Sequence, residues 1–217
     1  MRNLTPLEAR VLGVLVEKQH TVPDTYPLSL NALTAGCNQK TARSPVIEAS
    51  EAEVLTALDG LKSMSLVFEG SGSRVVRYEH NMGRVFNAPG AAVALLTVLM
   101  LRGPQTAAEL RLNSERLHKF ADISSVEGFL EELAERYPPR VVKLARAPGA
   151  REPRWAHLLC GEVAEPVWVA PPPGEAAPVA LGELAAMKAE QTRLAQEVTE
   201  LREMVQKLAR ELGIESA

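Results

Sequence analysis

The strongest constraint on the fold is a repeat. One stretch opens with Ser50-Glu51-Ala52-Glu53, a helix-capping box, and carries Val54, Leu55, Leu58 and Leu61 at helical spacing. It runs into Leu66-Val67-Phe68, a Gly70-Ser71-Gly72-Ser73 turn and Val75-Val76-Arg77-Tyr78, a β-hairpin pattern with a small-residue tip. An interval of 75 carries Val54, Leu55 and Leu58 onto Phe129, Leu130 and Leu133, and Leu66 and Val67 onto Val141 and Val142. The second copy opens at Ser124-Ser125-Val126-Glu127 and ends in Val141 to Leu144 and Arg154 to Leu158 around Pro148-Gly149. A pattern written twice is expected to fold as two copies of one supersecondary plan.

Each copy has two more helices upstream. In the first, Thr5-Pro6-Leu7-Glu8 is a capping box with proline in the first turn, and Leu7, Val11, Val14 and Leu15 follow as a stripe. Ser29 caps a short second helix, which Gly36 is expected to stop. In the second copy Ala91 to Leu101 is apolar on nearly every side. It is too short for a bilayer and reads as a buried helix ended by Gly103-Pro104. Thr106-Ala107-Ala108-Glu109 opens the next helix. Three helices followed by a hairpin is the order of a winged helix-turn-helix, in which the third helix and the hairpin usually face DNA. The fold class is therefore mainly α with small β-hairpin wings (α+β). We expect winged-helix domains over 1–85 and 86–163, a proline-rich linker over 164–179 and a coiled-coil helix over 180–213.

The linker contains Pro171-Pro172-Pro173 and has the composition of a semi-rigid spacer. Beyond it Leu184, Gln191, Val198, Val205 and Leu212 fall on heptad position a, and Met187, Leu194, Leu201 and Leu208 on d. Valine at a with leucine at d favours a parallel pair, so a homodimer through this helix is expected. The alternative is a helix folded back onto its own domains.

Three segments carry a family likeness: LTPLEARVLGVLVEKQHTVPDTYPLSLNALTAGCNQKTARSPV, ALLTVLMLRGPQTAAELR and VVKLARAPGAREPRWAHLLCGEV. They resemble the bacterial YceH family across nearly the whole chain, most specifically at Cys37 to Thr41. The resemblance implies tandem winged helices and a coiled C-terminal tail, and it implies no activity. The proline content of the linker departs from the family pattern.

Chemical motifs are sparse. The sequence has no GxxxxGK phosphate loop, no GxGxxG after a strand and no GxSxG elbow. His20, His80, His118 and His157 are scattered, with no cysteine or acid at metal-ligand spacing. Lys40 beside Cys37 is the arrangement of an activated thiol, but a small buried residue is the favoured reading of Cys37. We therefore expect no enzymatic step, no cofactor and no metal. With two cysteines, no apolar signal core in MRNLTPLEAR and no membrane-length apolar run, a reduced, cytoplasmic protein is expected.

The net charge of −3 excludes a generally basic nucleic-acid binder. Residues 1–85 and 86–163 are balanced to within one charge, and the tail carries the acidic excess. Within the domains the third helices are acidic, with Glu51, Glu53 and Asp59 in the first and Glu127, Glu131, Glu132 and Glu135 in the second. Basic groups gather on the wings, as Arg74 and Arg77 and as Lys143, Arg146, Arg151 and Arg154, and in the loop carrying Gln39, Lys40 and Arg43. These nine residues are the candidate nucleic-acid contacts, on the expectation that long charged side chains on a wing are solvated. Two functions follow. One is a dimeric, regulator-like duplex-DNA-binding protein that uses wings and loop. The other is a scaffold that holds protein partners and touches no DNA. The basic wings tilt the sequence toward the first.

Overall fold

The computed structural model describes residues 2–70, 75–146, 150–163 and 178–211, with side chains of the last segment described over 188–204. The first copy comprises α1 (Pro6–Thr21), β1 (Leu28–Ser29), α2 (Leu30–Cys37), α3 (Glu51–Ser63), β2 (Val67–Gly70) and β3 (Arg77–His80). A short α4 (Met82–Val85) leads to the second copy: α5 (Gly90–Arg102), α6 (Ala107–Ser114), α7 (Ile123–Glu135), β4 (Val141–Lys143) and β5 (Trp155–His157). The chain then forms α8 (Pro178–Glu211), which belongs to a separate unit. This is the expected mainly helical α+β architecture with small antiparallel hairpins.

The capping boxes at Thr5, Ser50 and Thr106 are all formed. The fourth is displaced from Ser124: Asp122 caps α7 by accepting from Ser125 N at 2.7 Å, since a carboxylate is the stronger acceptor at that helix start. Gly36 does not stop α2, which runs to Cys37 with Asn38 as its C-cap. A Cβ on Gly36 would lie 2.6 Å from Val14 Cγ1, so the glycine serves the close approach of α2 to α1. Gly103 does end α5, at φ +76.

The first sheet has the order β1-β3-β2, with Leu28 opposite Tyr78 and Val67 opposite His80. Its central strand β3 begins at Arg77 rather than Val75, and Val75 and Val76 are exposed. The second sheet pairs β4 with β5, Val141 opposite His157. There the equivalent of β1 is reduced to a single bridge, Gln105 to Trp155.

These pairings give the true register of the repeat. Leu28, Ser29, Tyr78 and His80 correspond to Gln105, Thr106, Trp155 and His157, an interval of 77. The third helices are related by 72: Ser50 to Asp122, Val54 to Val126, Leu58 to Leu130 and Leu61 to Leu133. The interval of 75 misplaced them by three residues. That is nearly one helical turn, so apolar positions still fell on apolar positions. The interval changes because the connection from second to third helix is longer in the first copy, 38–50 against 115–122.

One contiguous core runs through both copies. In α1 every residue from Glu8 to Val16 is buried, and in α5 every residue from Ala91 to Leu101. The narrow stripe expected on α1 is widened because α1 packs on α2 and α3 and also on α5. A Cβ on Gly13 would sit 3.0 Å from Leu101, which marks the close crossing of α1 and α5. The copies are thus joined back to back through their first helices.

Candidate functional site

The loop 38–50 is tied down by its own side chains. Asn38 donates to Ala49 O and accepts from Ala49 N, both at 2.8 Å, which closes the loop like a clasp. Arg10, buried in α1, donates to Cys37 O at 3.2 Å and Pro45 O at 2.7 Å. Ser44 N donates to Leu101 O at 2.8 Å, stitching the loop to the end of α5. Arg43 is not a surface residue: its side chain is fully buried. It donates to Glu17 Oε1 and Oε2 at 3.0 and 2.6 Å, to Gln39 Oε1 at 2.7 Å and to the carbonyls of Gly36 and Ala42. A guanidinium so enclosed is an internal fastener. Gln39 is half-buried, its carbonyl shared by Arg43 and Lys18, and Lys40 is exposed.

The wing arginines divide in the same way. Arg77 donates to Pro27 O at 2.7 Å and Thr25 O at 3.2 Å. Its counterpart Arg154 donates to Pro104 O and Glu109 Oε2, both at 2.8 Å, and to Glu109 Oε1 at 3.1 Å. Each arginine pins its hairpin to the proline carbonyl that precedes the first strand or bridge. The expectation of a solvated side chain fails for Arg154, because Glu109 is the capping-box acid of α6 and draws the guanidinium inward. Arg146 and Arg151 are exposed, and Lys143 is exposed with its ammonium 5.3 Å from the centre of the Trp155 ring. Arg74 lies outside the described residues.

The third helices turn acid outward. Glu51, Glu53 and Asp59 are exposed on α3, as are Glu127, Glu131, Glu132 and Glu135 on α7. Lys62 pairs with Asp59 at 2.8 Å and also with Glu69, and Arg136 pairs with Glu132 at 2.6 Å.

Burial pushes the Cys37 thiol up to about 12, against the weaker pull of Arg10 and Arg43, so it stays protonated. His80 and His157 are pushed down to about 4 by burial, and His20 adds to the effect at His80. Among the described residues no three His, Cys, Asp or Glu side chains gather into a metal-binding group, and no helix is long and apolar enough to cross a membrane.

A feature that charge patterning in the sequence did not reveal lies where the copies meet. A cleft of about 200 Å³ is walled by α1, by Gln39, Thr41 and Ala42 of the loop, by α5 and by the end of α6. Lys18, Arg102 and Arg116 line it, with Glu17, Gln39 and Asn113. Arg102 and Arg116 stand far from Lys18 in sequence, and only the back-to-back packing of the copies brings them together.

On α8, Leu194, Val198 and Leu201 are 48%, 45% and 55% exposed, so three successive heptad core positions lie on the surface of that helix. Gln191, the preceding a residue, is also exposed. The side chains of Leu184, Met187, Val205 and Leu208, and all of Leu212, lie outside the described residues.

Residues 4–150 match the model of a family described as "Protein of unknown function, DUF480". The chain is 68% identical over 216 residues to a UPF0502 protein of Burkholderia multivorans, covering 100% of this chain and 92% of that one. It is 69% identical over 216 residues to a UPF0502 protein of Burkholderia cenocepacia, covering 99% and 92%. A UPF0502 protein of Burkholderia pseudomallei is 69% identical over 215 residues, with the same coverage.

Proposed function

The chain belongs to the DUF480 family, the YceH-like family that its sequence resembles, and from that premise we propose that it is a non-enzymatic interaction module. Two fused winged helices dock a basic protein surface, and the C-terminal helix brings two copies together. The observation that carries this reading is the acid on the outward faces of α3 and α7. A helix bearing several outward carboxylates repels a phosphate backbone and attracts lysine and arginine on a protein. The internal engagement of Arg43, Arg77 and Arg154 supports it, because those three are among the nine residues expected from the sequence to contact nucleic acid.

The test is a titration of the full chain with labelled random duplex DNA at two salt concentrations. The reading expects no saturable binding at micromolar protein. Affinity capture with wild type and with the double variant Glu127→Lys, Glu131→Lys should then recover a basic partner only on the wild type. A second reading, DNA binding through wing two, rests on the exposure of Lys143, Arg146 and Arg151. It expects duplex binding whose salt slope flattens by roughly one unit in Arg146→Ala and again in Arg151→Ala, one phosphate being released by each substitution. That outcome overturns the scaffold reading.

Dimerisation is tested separately. Leu201→Asp places a charge in the heptad seam and should give folded monomers by light scattering. A dimer of unchanged affinity removes the tail from the assembly.

A further inference from the structure

We propose that the cleft between the two copies binds a small multivalent oxyanion of the phosphate class, with Lys18, Arg102 and Arg116 as its cationic ligands. This goes beyond the interaction reading and does not depend on it.

Charge is the first argument. Three cationic side chains line the cleft and one carboxylate, Glu17, joins them. That carboxylate is shared, because the buried Arg43 engages both of its oxygens and Lys18 lies 3.5 Å from one of them. One carboxylate among these cations leaves the cleft with an excess of positive charge in a protein whose net charge is −3.

Unmet hydrogen-bonding capacity is the second. Among the described residues no group accepts a hydrogen bond from Arg102 or Arg116, although other half-buried or buried arginines, such as Arg43, Arg77 and Arg154, are held by carbonyls or carboxylates. Arg102 is half-buried beside Arg43, and burial together with that neighbour lowers its proton affinity while Glu17 raises it. A partly desolvated guanidinium without an acceptor is a costly arrangement, which an oxyanion relieves through short charge-assisted bonds. The Gln39 carbonyl is taken by Lys18 and Arg43, so the capacity left on that amide is its donor end. The lining offers donors in excess of acceptors, which matches a ligand that only accepts.

Size is the third. About 200 Å³ lies below the roughly 300–1,000 Å³ of sites for drug-sized molecules. It suits a phosphate or diphosphate group, with any organic remainder outside the mouth. Position makes such a ligand consequential. The walls come from α1 and the loop of the first copy and from α5 and the end of α6 of the second, so a bound anion bridges them.

The test uses the full-length chain at constant ionic strength. Thermal shift and titration calorimetry are run with inorganic phosphate, pyrophosphate, ATP and citrate. Pyrophosphate should bind saturably and raise the melting temperature. Arg102→Ala should weaken binding at least 10-fold and Arg116→Ala several-fold, while Arg84→Ala, at an exposed position outside the cleft, leaves it unchanged. Arg116 is exposed, so its variant carries the test if Arg102→Ala fails to fold. ATP binding as tightly as pyrophosphate identifies a phosphorylated metabolite as the source of the anion, and weaker binding identifies the free diphosphate. No saturable binding, equal binding of citrate, equal binding by the Arg102 and Arg116 variants, or displacement of pyrophosphate by random duplex DNA each overturns the proposal.

Discussion

The two winged lobes are built to one plan and differ in how they hold their charged groups. In both, an arginine at the start of the hairpin's return strand reaches a proline carbonyl: Arg77 to Pro27 and Arg154 to Pro104. In the second lobe the same arginine also clamps Glu109, whereas the first lobe has Ala32 at the corresponding position and no such pair. The first lobe places its buried ion pair elsewhere. Its longer loop turns inward and seats Arg43 on Glu17 at the seam with α5. One lobe thus fastens its wing to its own body, while the other fastens a loop against its twin. Similar composition and equal topology do not imply equal surfaces, because an arginine's role depends on whether a carboxylate or carbonyl lies within its reach.

Removing apolar volume from the shared seam should have the largest effect on this comparison. Leu99→Ala in α5 should cost about 2–5 kcal/mol and lower the melting temperature by roughly 5–15 °C. Because one core serves both lobes, a single transition should survive, with helix loss by circular dichroism coinciding with the Trp155 fluorescence change, read in a Trp168→Phe background. Two separated transitions would show that the lobes unfold independently.

The ion pairs come next. Arg154→Ala leaves the nearly buried Glu109 without its partner and should cost about 2–3 kcal/mol in denaturant unfolding. Arg77→Ala loses two bonds to carbonyls and strands no charge, so about 1–2 kcal/mol is expected. Equal losses would mean that Glu109 adds nothing to the second wing.

The paired histidines sharpen the comparison through pH. His80 Nε2 is 2.7 Å from Gln19 Oε1 and His80 Nδ1 accepts from Met82 N, a neutral arrangement, while His157 Nδ1 is buried without a partner. Both titrate at about 4 in the fold against 6.5 in an unfolded chain. Between those values the unfolded chain binds more protons. Their contribution is therefore complete above pH 6.5 and is lost as pH falls toward 4. From pH 7 to pH 5 stability should fall, with about 1–2 kcal/mol of the loss due to His157. His157→Gln should flatten the profile, and an unchanged profile would remove His157 from the linkage. The smallest effect is expected for Lys143→Ala, which removes the ammonium over Trp155 and should change stability by about 0.5–1 kcal/mol.

Local chemistry made much of this fold readable in the sequence. Capping boxes at Thr5, Ser50 and Thr106 fixed three helix starts, because the partners of a cap lie within one turn of it. The all-round apolar character of Ala91 to Leu101 announced a helix with no solvent face, and the Gly103 stop followed from its backbone freedom. The order of helices and hairpins was legible for the same reason, since each element signals itself within a few residues. What the sequence left open depended on distant partners. A shift of three residues along a helix preserves the apolar face, so the third-helix register was settled by the caps Ser50 and Asp122 and by the burial of Leu61 and Leu133. Nothing near Arg43 or Arg154 in sequence indicated Glu17 or Glu109, and so two basic residues that read as surface contacts became internal fasteners. The cleft with Lys18, Arg102 and Arg116 forms where α1 packs on α5, a crossing so close that a Cβ on Gly13 would sit 3.0 Å from Leu101. Periodicity and capping act over one turn and are written locally, whereas the location of a buried charge is decided by whatever packing brings within hydrogen-bond distance.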